Sequence, residues 1–156
     1  YDALAQFDVV GVAGNRRLQP GQLAWYLQPP VMDEDGEMRA PWDREYLSGA
    51  IVHTQVPSGQ FGTDSVSVYG PSPSPVAVLD GVLIAAKART LRASGLRFDQ
   101  SLGFHFYDLD FCRSAQAANL RLGTWPMALS HGSDGSSIRS NAWQRSRVLY
   151  FQKWQT

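Results

Sequence analysis

The chain has 156 residues, 44% hydrophobic and 18% charged, and its 14 basic and 14 acidic side chains cancel to zero net charge. That is the size and make-up of a single domain spanning 1–156 with its own core, which excludes a disordered tail; the missing basic excess and the absence of like-charge runs exclude a nucleic-acid binder and a membrane-binding stripe. The lone thiol, Cys112, excludes an internal disulfide and a thiolate zinc cluster and fits a reducing, cytoplasmic setting, while no apolar run approaches the ~18 residues of a membrane span.

In chain order, Phe7 to Ala13 (FDVVGVA) is β-branched and continuously apolar, the pattern of a strand buried on both faces, with Gly14-Asn15 as its break. Residues 16–48 are turn-rich and predict a long connection with little regular structure, although Trp25 and Trp42 must pack somewhere. Gly49 to Val56 reads as a second strand, and Val66, Val68 and Tyr69 as a short third. Prolines at 71, 73 and 75 predict a loop without ladder pairing. Gly81 to Ala86 is another apolar run, and Ala88 to Ser94 predicts a short helix stopped at Gly95.

The clearest helix is expected over Asp108 to Asn119, with Phe111, Cys112, Ala115 and Ala118 on its buried face and Asp108 as its N-cap. Leu122 to Trp125 predicts a short strand. Residues 130–137 form a polar loop, and a last helix is expected from about Ile138 to Trp154 with Ala142, Arg145 and Leu149 in phase. The order of elements is that of an α/β protein with a mixed sheet.

Most chemical information lies in residues 98–113, FDQSLGFHFYDLDFCR. Asp108 and Asp110 sit two residues apart at a helix start, where the dipole favours the charged carboxylate. A carboxylate there serves as a general base if it faces a cleft and meets a hydroxyl. The neighbouring aromatics, Phe106 and Tyr107 among them, offer faces for a sugar ring. The same spacing also fits a plain cap and dipole partner with no further role. His131, in a small polar loop, is a candidate metal ligand; His53 and His105 read as structural. Ser133 and Asp134 beside His131 are too close in sequence for a hydrolase triad, and no G-x-S-x-G elbow, P-loop or dinucleotide turn is present.

Taken together and in order, LDGVLIAAKARTL, then Phe98-Asp99, then FHFYDLDFCRSA, then LGTWPMALSH resemble the second half of bacterial family-2-like glycosyltransferases over roughly residues 7–131. The resemblance implies a partial GT-A (nucleotide-diphospho-sugar transferase) fold with a mixed sheet. It implies a nucleotide-sugar donor, a glycan or other hydroxyl acceptor, and a divalent metal, Mn or Mg. It carries the catalytic base to Asp108, the metal ligand to His131, and the acceptor and donor-sugar pocket to Asp80 and Gly81. Phe106, Tyr107 and Asp110 are added as substrate contacts. The family's glutamate before the base is replaced by Tyr107, which leaves the base without that carboxylate partner.

The family's D-x-D element is expected upstream of the matched region. The triplets Asp33-Glu34-Asp35 and Asp108-Leu109-Asp110 stand elsewhere. With Tyr1 in place of an initiator Met, this predicts a C-terminal portion lacking the N-terminal nucleotide-binding half, inactive alone, and self-associating through an exposed sheet edge. The competing expectations are a non-catalytic carbohydrate-binding or protein-interaction module and, behind it, a small hydrolase using His131.

Overall fold

The computed structural model describes residues 2–54, 64–132 and 140–155. Gln55 and Val56 of the expected second strand, Ser133 and Asp134, and Ile138 lie outside them. The fold is α/β, with one mixed four-stranded sheet, one mixed five-stranded sheet and a small antiparallel hairpin.

The opening apolar run is two strands instead of one: β1 (Val9–Gly11) and β2 (Ala13–Asn15), with every residue buried. Val12 is the crossing point. β1 pairs in parallel with Leu122–Thr124, whereas β2 turns into the second sheet, where Ala13 lies opposite Gly49 and Gly14 opposite Ser48. Gly14 and Asn15 therefore continue a strand and do not break one. Their polar backbone is satisfied by ladder bonds on both sides, so the run can stay buried.

The connection from 16 to 46 is mostly irregular, as expected, apart from the hairpin β3 (Val31–Met32) and β4 (Met38–Arg39) and a short 3-10 turn at Arg44–Tyr46. The triplet Asp33-Glu34-Asp35 caps that hairpin, and Arg39 pairs with Asp33 at 2.6 Å and Asp35 at 3.8 Å. The connection is tied to the core by Asp43, whose carboxylate accepts from the Arg17 guanidinium at 2.5 and 2.8 Å and from Asn15 Nδ2 at 2.9 Å. Burial alone would raise the Asp43 carboxyl, but the Arg17 fork and the Asn15 amide outweigh it and hold it below its ordinary value. Trp25 is buried edge-on to Tyr26 and Tyr69, while Trp42 stays half exposed against Tyr26.

β5 (Leu47–Thr54) and β6 (Asp64–Gly70) form the long antiparallel pair of the second sheet. Among the described residues β6 pairs with β5 alone, and its Val66 and Val68 are 63% and 76% exposed. The proline loop does enter a ladder: β7 (Ser74–Pro75) pairs with Gly123 and Thr124. Proline lacks only the donor, and β7 lies at the sheet edge, where a missing N–H costs little. β8 (Val78–Leu79) pairs with β2, and the apolar run after Asp80 is strand only at β9 (Ala85–Ala86). α2 (Ala88–Ser94) ends as expected at Gly95, whose φ of 69° needs no Cβ to avoid.

α3 (Tyr107–Ala117) packs Leu109, Asp110, Phe111, Cys112 and Ala115 inward, whereas Ala118 is exposed past its end. β10 (Leu122–Thr124) lies beside β1, and β11 (Ser130–His131) runs parallel to β5. α4 (Asn141–Trp154) is capped by Ser140 Oγ, which accepts from the Trp143 N–H at 3.1 Å. Its inward face is Trp143, Ser146, Tyr150 and Trp154, not Ala142, Arg145 and Leu149, which point outward. The rings at 143, 150, 151 and 154 carry far more apolar area than one Leu and one Ala, and they decide the rotation.

α4 is fixed to α3 through Asp110. That carboxylate is fully buried and accepts from Lys153 Nζ at 2.9 and 3.0 Å and from Trp154 Nε1 at 2.8 Å. Lys153 also reaches Asp99 at 2.8 Å, and with Ser101 it holds that carboxyl down at about 2. Asp110→Ala leaves the indole N–H without its acceptor and the Lys153 ammonium with Asp99 as its remaining carboxylate. It is expected to cost about 2–3 kcal/mol, read as a lower urea midpoint, with Asp110→Asn costing less because one acceptor for Trp154 survives.

Candidate active site

The site is assembled by the contact of α3 with β8. The Leu79 backbone N–H donates to Cys112 Sγ at 3.2 Å, deep in the core. One residue beyond Leu79 the chain presents Asp80; one helical turn before Cys112 it presents Asp108. The thiol is an apolar filler here, pushed well above its ordinary value by burial. Both carboxylates, with Gly81, Tyr107, Phe106 and His131, line one cavity of about 890 Å³, within the size range of small-molecule sites.

Asp80 accepts from the Val82 N–H at 3.2 Å and from the indole of Trp25. Burial, and then the charge of Asp108, push its carboxyl from 3.8 up to about 7; the two donors only partly oppose this. Asp108 is enclosed by protein on every side except the cavity, which keeps part of its surface open. Burial raises it too. Against that, it accepts from three backbone N–H groups: Leu109 at 2.9 Å, its own, and Gly81. Two carboxylates sharing one space titrate as a unit, and both upward shifts keep a proton on the pair to higher pH than on an ordinary aspartate.

Asp108 is not the cap of α3. The helix opens two residues earlier at Phe106, whose φ of 62° is left-handed and carries a steric cost for a non-glycine residue. The strain is held in place by the Phe106 ring, 4% exposed and packed among Trp143, Tyr150 and Phe151. The bend at Phe106 rotates α3 so that its second residue, Asp108, faces the cavity.

Tyr107 is the first residue of α3, next to Asp108. Its hydroxyl donates to the Gly81 carbonyl at 3.1 Å, and burial followed by the nearby Asp108 and Asp80 pushes it up to about 12. Gly81 thus gives its N–H to Asp108 and its carbonyl to Tyr107. A Cβ at position 81 would lie 2.1 Å from the Tyr107 hydroxyl oxygen and 2.5 Å from the ring carbon bearing it. Gly81→Ala is expected to swing the Tyr107 ring aside and open the bridge. The expected readouts are a lowered Tyr107 ionisation midpoint by ultraviolet titration, together with at least a tenfold weaker hold on any cavity ligand, about 1.4 kcal/mol.

Of the residues singled out by sequence, Asp80, Gly81, Phe106, Tyr107, Asp108 and His131 converge, and Asp110 does not. It faces α4 beneath the site and orders the aromatic wall without touching the cavity. His131 is in a strand, not a loop, opposite His53 in the β5–β11 register, with ring centres 6.4 Å apart; His53 in turn meets the Tyr69 hydroxyl at 3.4 Å. Among the described residues no group of three or more His, Cys, Asp or Glu side chains is placed to hold a metal ion. His131 is therefore one candidate ligand without a described set around it. Sequence reasoning missed Trp25, Tyr26, Trp143, Gln144 and Arg147, which supply the walls. They come from segments tens of residues away from the acidic motif and carry no local signal.

Comparison with protein families, curated proteins and solved structures returns no match to this chain.

Proposed function

We propose that the chain is the acceptor-side catalytic portion of a GT-A-type, family-2-like glycosyltransferase, transferring a sugar with inversion from a nucleotide-sugar donor to a hydroxyl. One observation carries this reading: the two most distinctive pieces of the resembled pattern, LDG and FHFYDLD, supply the two carboxylates of one aromatic-walled cavity. Asp108 takes the acceptor's proton as that oxygen attacks the anomeric carbon, and the bond from that carbon to the diphosphate breaks with its electron pair leaving on the diphosphate. Three backbone donors favour the charged form of Asp108 and mark it as the base. Asp80 then holds the shared proton and donates it to a ligand oxygen.

The divalent metal of the resemblance has His131 as its one candidate ligand here, and no step above passes through it. No helix among the described residues is long and apolar enough to cross a membrane, and the cytoplasmic setting expected from Cys112 goes with this reading. The self-association expected from an exposed edge attaches to β6, with Val66 and Val68 on its open face.

The aromatic walls also favour a second reading, a carbohydrate-binding module without chemistry. Turnover of nucleotide sugars, assayed with the chain joined to its upstream coding segment, separates the two. Release of nucleoside diphosphate that depends on an acceptor supports transfer. Tight glycan binding with no turnover, unaffected by Mn²⁺ or nucleoside diphosphates, supports the module.

A further inference from the structure

We infer that Arg147, with Gln144 one turn before it, forms a phosphate subsite at the rim of the cavity. Two arginines line that cavity. Arg39 is committed to Asp33 and Asp35. Arg147 has neither an ion pair nor a hydrogen bond among the described residues; its guanidinium lies 6.0 Å from the ring centre of Trp143 and 5.8 Å from that of Phe151. Ring contact of this kind orients the planar cation while leaving its N–H donors unused. Gln144, also on the cavity wall, has a side-chain amide with no partner among the described residues.

The platform beneath these side chains is rigid. α4 is held by Ser146 Oγ donating to the Leu102 carbonyl, by buried Tyr150, and by the Asp110 junction. Guanidinium and amide at i and i+3 present a fork of donors to one space, the geometry that suits a phosphate oxygen pair. Asp80 and Asp108 line the same cavity, and their negative charge repels an anion. Charge therefore favours a ligand with its phosphate at Arg147 and its hydroxyls toward Asp108.

This deepens the glycosyltransferase reading and rests on it only for the source of the phosphate, which is either a donor diphosphate or a phosphorylated acceptor. Isothermal titration calorimetry with inorganic pyrophosphate and, separately, glucose 6-phosphate tests it. Saturable binding of at least one is expected. Arg147→Ala should weaken it about tenfold or more, the effect of losing a charge-assisted hydrogen bond. Arg147→Lys should retain part of the affinity, and Arg145→Ala, an exposed arginine on the same helix outside the cavity lining, should leave it unchanged. Tighter pyrophosphate binding assigns the subsite to a donor, and tighter glucose 6-phosphate binding to an acceptor. An equal loss in Arg145→Ala and Arg147→Ala, or no saturable binding of either probe, overturns the subsite. Binding is read without turnover, so a protein that binds phosphate but never transfers sugar removes the base and leaves the subsite standing.

Discussion

Replacing Asp108 by Asn is expected to lower sugar transfer by about 10²–10⁴-fold, the usual contribution of a positioned general base, with little change in the urea midpoint. Asn keeps one oxygen to accept from the Leu109 N–H, so that part of the local frame survives while proton transfer is lost. The pH profile is the sharper readout. Burial raises the Asp108 carboxyl above its ordinary value, and the base works only when ionised. Wild-type turnover should therefore fall on acidification at a higher pH than an ordinary aspartate base would give, and the variant's residual rate should lose that acidic limb. Turnover in Asp108→Asn equal to wild type would remove Asp108 from the mechanism.

Asp80→Asn is expected to act in opposite directions on stability and on function. The Asp80 carboxyl titrates at about 7 in the folded chain against 3.8 for an ordinary aspartate. Between those values the folded state holds a proton that the unfolded state has released. Stability therefore falls as pH rises from about 4 to about 7, and is flat above that. The penalty comes from burial first and from the Asp108 charge second. A neutral amide avoids it. At pH 8 Asp80→Asn should be more stable by roughly 2–4 kcal/mol, a rise of about 5–12 °C in melting temperature for a chain of this size. At pH 4 the two proteins should melt together. The same substitution removes the titration that lets the pair hold and release a proton, so transfer should drop. A variant destabilised at pH 8 would contradict a strained carboxylate at this position.

Part of this architecture was legible along the chain. Gly95 stops α2 because left-handed backbone favours glycine, a property of one residue and its neighbours. α3 announces itself through the 3- and 4-residue spacing of Phe111, Cys112 and Ala115, and β10 through Leu122 to Thr124 before Pro126. The acidic motif was visible too, as were Asp80 and Gly81, because the resemblance orders them. The start of α3 was not. Asp108 is a good cap by composition, but the ring of Phe106 is buried by Trp143, Tyr150 and Phe151, and that burial holds a φ which moves the helix start. Nor was the role of Asp110, whose partners Lys153 and Trp154 lie more than forty residues on.

What the sequence by itself determined is local: strand and helix tendencies, the glycine stop, the aromatic content, and the positions of the carboxylates. What only the tertiary structure decided is which carboxylate faces a cavity and which is sealed against a helix. Asp108 and Asp110 share a helix turn, a residue type and a spacing, yet one lines the site with Asp80 and the other anchors α4. A proton's affinity for Asp108 depends on the charges and dipoles within a few ångströms and on the water excluded there. Those neighbours are brought in by β8, by the connection through Trp25 and by α4, and no stretch of contiguous residues contains them.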